Sequence, residues 1–158
     1  MRRLFVPVAL GLSALALSAA SIQRADGPRA CNPDRVSGVD DPSLRRVAEG
    51  WREAYNAGDA PRVAALYTED GQYLSAHVGA RGREAIRGYF QRGIDAGGHV
   101  DAIRVLESRS DGTLAYATGT YEANNGGQKV DGRVLLVLER CDDRWLIAAH
   151  EVVVRDQP

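Results

Sequence analysis

The apolar residues of this chain change their spacing once, at His99, and that change limits what it can fold into. Upstream, Leu44, Val47, Trp51, Ala54 and Tyr55 recur at three- and four-residue steps, the spacing of one buried helix face. Downstream, Val100 to Leu106, Thr113 to Tyr121, Lys129 to Arg140 and Trp145 to Val154 are runs rich in β-branched and aromatic residues. Ser110-Asp111-Gly112, Asn124-Asn125-Gly126-Gly127 and Cys141-Asp142-Asp143 separate them as turns. Helices followed by a strand meander predict an α+β domain, with a cone-shaped, curved antiparallel sheet wrapped around three N-terminal helices.

Local punctuation sets the expected boundaries. Asp41-Pro42 supplies an N-cap and a proline at the first helical position. Gly58 stops that helix, and Asp59 caps a short second one carrying Val63, Leu66 and Tyr67. Gly71 reads as a break before a strand over Gln72 to Ser75. Gly82 opens a third helix with Ala85, Ile86, Tyr89 and Phe90 on one face, and Ala96-Gly97-Gly98 closes it.

Residues 1–20 have the layout of a secretory signal: basic Arg2 and Arg3, an apolar stretch from Leu4 to Leu17, then the small residues Ser18-Ala19-Ala20. Arg2-Arg3 also echoes a twin-arginine signal, but its place at the extreme terminus favours the general route. The apolar stretch is too short for a membrane anchor. The expected product is periplasmic or secreted, with no membrane association after cleavage. Residues 21–41 read as an extended leader and 42–156 as the folded domain. In an oxidising compartment Cys31 and Cys141 are expected to pair, the alternative being two separate thiols. Neither stands in a metal-ligand spacing, and no metal or cofactor motif is present. A formal net charge of −1 with scattered arginines argues against a nucleic-acid partner. Val134-Leu135-Leu136-Val137-Leu138 is apolar on both strand faces, which predicts a homodimer through the outer face of the sheet.

Three stretches carry a family resemblance. Ala54-Tyr55-Asn56-Ala57-Gly58-Asp59, with Val63-Ala64-Ala65-Leu66-Tyr67 and Glu69-Asp70-Gly71, resembles the helix-helix-strand opening of the nuclear-transport-factor-2-like superfamily, in its ketosteroid-isomerase-like (SnoaL-like) branch. Arg81-Gly82-Arg83-Glu84-Ala85-Ile86-Arg87-Gly88-Tyr89-Phe90 resembles that branch's third helix, and Arg144-Trp145-Leu146-Ile147-Ala148-Ala149-His150 its closing strand. The resemblance implies a cavity between helices and sheet, but not one reaction, because such folds host isomerases, cyclases, dehydratases, hydrolases and binding modules. Where the steroid isomerases place a helix-one tyrosine, a general-base aspartate and a protonated aspartate, this chain has Trp51, Ser75 and a position near Leu135. Without the two carboxylates an enolising mechanism lacks both base and donor. The metal-independent carbonic anhydrases of the related kinase-association-type fold carry a histidine-rich closing strand with serines following. His150 is kept here, but Val152 departs from that pattern.

His150 is therefore the candidate catalytic residue. Strict alternation places it on one face with Leu146, Ala148, Val152 and Val154, and by the resemblance that face lines the cavity. A general base, a ligand partner and a structurally satisfied histidine all fit. Trp51, Tyr55, Tyr67, Ser75, His77, Tyr89, Phe90, Tyr116 and Thr118 are the candidate ligand-binding residues, the aromatic ones serving equally as core. The expected function is that of an exported binding protein for a small apolar organic ligand, without cofactor. The alternative is a cofactor-independent acid/base isomerase, cyclase or hydratase using His150 with tyrosine donors.

Overall fold

The computed structural model describes residues 41–155. Helix α1 (Pro42–Asn56) starts where the Asp41 carboxylate accepts the Ser43 amide at 2.8 Å, with Pro42 in the first turn. It buries Leu44, Ala48, Trp51, Ala54 and Tyr55. Its last turn is tied to the sheet by Asn56, whose amide donates to the Val100 carbonyl and accepts the Val100 N–H, each at 2.8 Å. Asp59 caps α2 (Ala60–Ala65) by accepting the Arg62 amide at 2.9 Å.

Strand β1 (Tyr67–Leu74) begins five residues earlier than Gln72, so Tyr67 lies in the sheet and not on the second helix. Gly71 is buried inside this strand and breaks nothing. A Cβ there would stand 2.9 Å from the Ile147 carbonyl oxygen, so glycine marks a close backbone approach at an irregularity in the pairing. β2 (Gly79–Arg81) folds back on β1, and α3 (Arg83–Asp95) follows with Ile86 and Phe90 buried. The four long strands are β3 (His99–Ser110), β4 (Leu114–Asn125), β5 (Gln128–Cys141) and β6 (Arg144–Val154).

The six strands lie in the order β2-β1-β6-β5-β4-β3, and the sheet is curved and unclosed. All pairings are antiparallel except β1 with β6, which is parallel. Helices before strands, and a largely antiparallel meander, are as the apolar spacing predicts. The core forms between the helices and one sheet face, where Leu44, Trp51, Val63, Ile86, Leu136, Leu138 and Ile147 meet.

Bulges re-aim the strands. On β3 the register steps from Val105↔Gly119 to Glu107↔Thr118, leaving Leu106 as the extra, exposed residue. On β6 it steps from Val137↔Ala149 to Leu138↔Ile147, leaving Ala148 as the extra one. Two expectations change as a result. Trp145 and Ile147 join the core cluster, whereas Leu146 is buried apart from it and Ala148 is half-buried, and the phase then shifts so that His150 returns to the side of Ile147. On β4 the inward positions are the small residues Ala115, Ala117 and Gly119. Tyr116 and Thr118 therefore stand on the outer face, opposite Val137 and Leu135. Cys141 is half-buried at the end of β5, and its expected partner Cys31 lies outside the described residues.

Gly119 makes the bend beside the β3 bulge possible, since a Cβ there would stand 2.1 Å from the Arg104 carbonyl oxygen. Gly119→Ala is expected to cost about 1–3 kcal/mol of stability through forced backbone movement. The reading is a lower denaturation midpoint at unchanged slope; an unchanged midpoint contradicts the close approach.

Candidate functional site

The curved sheet and the helices enclose a cavity of about 460 Å³. Its wall is mostly apolar: Trp51 and Tyr55 from α1, Tyr89 and Phe90 from α3, and Val134, Val152 and Tyr121 from the sheet. Trp51 stacks on Tyr55 with ring centroids 5.3 Å apart, and Phe90 meets Trp51 edge-on at 5.0 Å. The Tyr55 hydroxyl fits beside Gly93 and Gly98, where an added Cβ would stand 2.7 Å and 2.3 Å from it. Both positions thus need glycine to seat the ring.

His150 stands in the wall and is only 3 % exposed. Tyr73 is its neighbour across the parallel β1–β6 pair, and the Tyr73 and Trp51 rings meet the imidazole edge-on at 5.2 Å and 5.3 Å. Behind the wall, the fully buried Tyr67 hydroxyl lies 2.8 Å from His150 Nδ1 and accepts the Trp51 indole N–H at 3.0 Å. Three elements, α1, β1 and β6, are joined at this point. Burial alone pushes the His150 pKa down to about 3, so the ring is neutral at neutral pH. Burial also raises the phenol pKa values of Tyr55, Tyr67 and Tyr73, with the neighbouring Tyr89 adding to the effect at Tyr55 and Tyr73. The interior is therefore lined by neutral groups.

Among the described residues lining the cavity the one charged side chain is Arg92, which is exposed and lies over the Tyr89 ring at 6.0 Å. Among the described residues no carboxylate lines it, and no three His, Cys, Asp or Glu side chains gather as a metal site would require. Chemically the site offers apolar contact, phenol hydroxyls and one imidazole, with Ser75, Arg92 and Asn125 as further polar lining residues.

Of the residues singled out from the sequence, Trp51, Tyr55, Ser75, Tyr89, Phe90 and His150 come together at the cavity. Tyr67 sits one layer behind, against His150. His77 does not join them: it is exposed in the turn between β1 and β2, where the Ser75 amide donates to the Val78 carbonyl at 2.8 Å. Tyr116 also stands apart, its hydroxyl donating to Glu107 at 3.1 Å on the outer side, and Thr118 is on that side too. Sequence reading missed Tyr73 and Tyr121. Tyr73 lies two residues before Ser75, so strand alternation alone was enough to place it on Ser75's side.

The SnoaL-like domain model matches residues 48–148. No curated protein matches the chain in sequence. Similar solved structures include a protein of unknown function from Mycobacterium tuberculosis, 20 % identical with a TM-score of 0.68 over 73 % of this chain and 72 % of that one. A ketosteroid isomerase-like protein from Erwinia carotovora atroseptica is 18 % identical, with a TM-score of 0.65 over 73 % and 96 % of the two chains. A cystatin-like-fold protein of unknown function from Nostoc punctiforme is 14 % identical, with a TM-score of 0.63 over 73 % and 91 %. At these identities the likeness is one of fold.

The buried, neutral His150 has a consequence for acid stability. Its pKa is about 3 in the fold against an ordinary 6.5, so between these values the unfolded chain binds a proton that the folded chain does not. Stability therefore falls on acidification, from near pH 6.5 downward, by up to about 1.4 kcal/mol per pH unit from this residue. His150→Gln lacks that proton. The wild type should lose stability more steeply than the variant between about pH 6.5 and 5, above the ordinary carboxylate range. Parallel curves in chemical denaturation contradict a buried neutral imidazole.

Proposed function

The chain belongs to the SnoaL-like domain family, and we propose that it is an exported binding protein for a small, uncharged, mostly apolar organic molecule. One observation carries this reading: the cavity of about 460 Å³ is walled by aromatic and aliphatic side chains, with neutral polar groups at a few points. Sites for small organic ligands have that size and make-up. An ion would meet no fixed countercharge deep inside, since Arg92, the charged lining residue, is exposed. The export half of the proposal is supported by the basic start and the apolar run within residues 1–20, which lie outside the described residues.

Acid/base catalysis at His150 fits less well. A general base needs a free lone pair within reach of the substrate proton; where Nδ1 accepts the Tyr67 hydroxyl proton at 2.8 Å, the other nitrogen of the neutral ring carries its N–H and offers none. Among the described residues no carboxylate lines the cavity to take its place. The reading is therefore one of binding without assigned turnover.

Extraction of the purified full-length protein and mass spectrometry of what is released tests the proposal. A neutral, hydrophobic molecule in stoichiometric amount is expected, and adding it back should quench Trp51 emission and raise the unfolding midpoint. Protein that carries no organic molecule, and whose emission and midpoint do not respond to neutral hydrophobic compounds, contradicts the reading.

A further inference from the structure

The hydrogen-bond chain behind the cavity decides which proton His150 carries. An indole N–H can only donate, so at 3.0 Å the Tyr67 oxygen is the acceptor for Trp51. The Tyr67 hydroxyl then has one proton of its own to place. His150 Nδ1, at 2.8 Å, is the remaining partner of this fully buried group. In the opposite arrangement Nδ1–H would donate to Tyr67, whose oxygen would accept twice while its own proton pointed at nothing. An unpaired buried hydroxyl proton is costly, so the chain runs Trp51 N–H to Tyr67 O–H to His150 Nδ1.

A neutral imidazole has one N–H, and with Nδ1 accepting it must be at Nε2. Among the described residues Nε2 has no hydrogen-bond partner, yet it is not sealed. The one described side-chain polar atom that is both fully buried and unpaired is Ser108 Oγ. Nε2 is therefore open to the cavity that His150 lines. The phenols of the wall can donate or accept by rotating their hydroxyls, whereas this ring cannot change its role without breaking the chain behind it.

We propose that His150 is a fixed hydrogen-bond donor, Nε2–H, and that the cavity selects neutral ligands carrying a hydrogen-bond acceptor of the carbonyl class at their buried end. This rests on the binding reading and narrows it: the ligand is hydrocarbon over most of its surface, with one acceptor oxygen aimed at His150. The ring's low pKa agrees with this, because a neutral donor needs no countercharge.

Two measurements on the full chain test it. In the first, the imidazole ¹⁵N shifts of labelled protein at neutral pH should show a pyrrole-type Nε2 and a pyridine-type Nδ1 for His150. A protonated Nδ1, or an even mixture of tautomers, overturns the proposal whether or not any ligand is found. In the second, benzophenone and diphenylmethane serve as a matched ketone and hydrocarbon. The ratio of their affinities should drop about fivefold on His150→Phe. The carbonyl stretch of bound benzophenone should be lowered in the wild type and return toward its apolar value in the variant. Binding of both compounds with an unchanged ratio and an unshifted carbonyl overturns the donor role while leaving the apolar cavity intact. If neither compound binds, the binding reading fails, and the ¹⁵N shifts alone decide the tautomer.

Discussion

Three side chains from distant parts of the sequence share two hydrogen bonds at the centre of this domain: Trp51 on α1, Tyr67 at the start of β1 and His150 on β6. Each is buried, and each carries a polar group that would be expensive to leave unpaired away from water. Satisfying all three at once requires α1 to lie across the parallel β1–β6 pair at one height and one rotation. Apolar contacts alone are less particular, because hydrophobic burial has no direction. The surrounding packing follows from that placement. Phe90 sits edge-on against both Trp51 and Tyr55, Tyr55 stacks on Trp51, and the space left under the sheet becomes the cavity.

The sheet cooperates by bending. Close backbone approaches at Gly71 and Gly119, and the extra residues Leu106 and Ala148, let long strands curve around the helices, with the ladder interrupted only locally at each bulge. Small residues on the inner face of β4 keep the wall thin there, while Tyr121 and Val134 project into the remaining space. Thus the feature that gives the fold its curvature also sets the cavity's depth, and His150 is carried into the wall by the phase shift at Ala148.

The parts of this arrangement legible in the sequence were those governed by near neighbours. Asp41, Gly58, Asp59 and Gly82 mark helix ends through capping and positive φ, and the β-rich runs announce the four long strands. What escaped depends on pairing between distant segments. Gly71 resembles a stop until Ile147 is known to pass beside it, and Ala148 looks like one more alternating residue until β5 leaves it unpaired. Tyr116 and Thr118, which alternate on one strand face, were expected on the inner side of β4. The smaller residues Ala115 and Ala117 occupy the inner face and are buried there. Strand phase was thus the weak link, and phase is set by register.

The central claim is that Trp51, Tyr67 and His150 act as one connected network and not as separate core residues. A double-mutant cycle of Trp51→Phe and Tyr67→Phe, measured by chemical denaturation at neutral pH, tests it most directly, because lost packing cancels around the cycle. The account predicts that the double variant is less destabilised than the sum of the singles by about 1 kcal/mol, since removing Tyr67 already costs the indole its partner. Additivity within roughly 0.3 kcal/mol would contradict it.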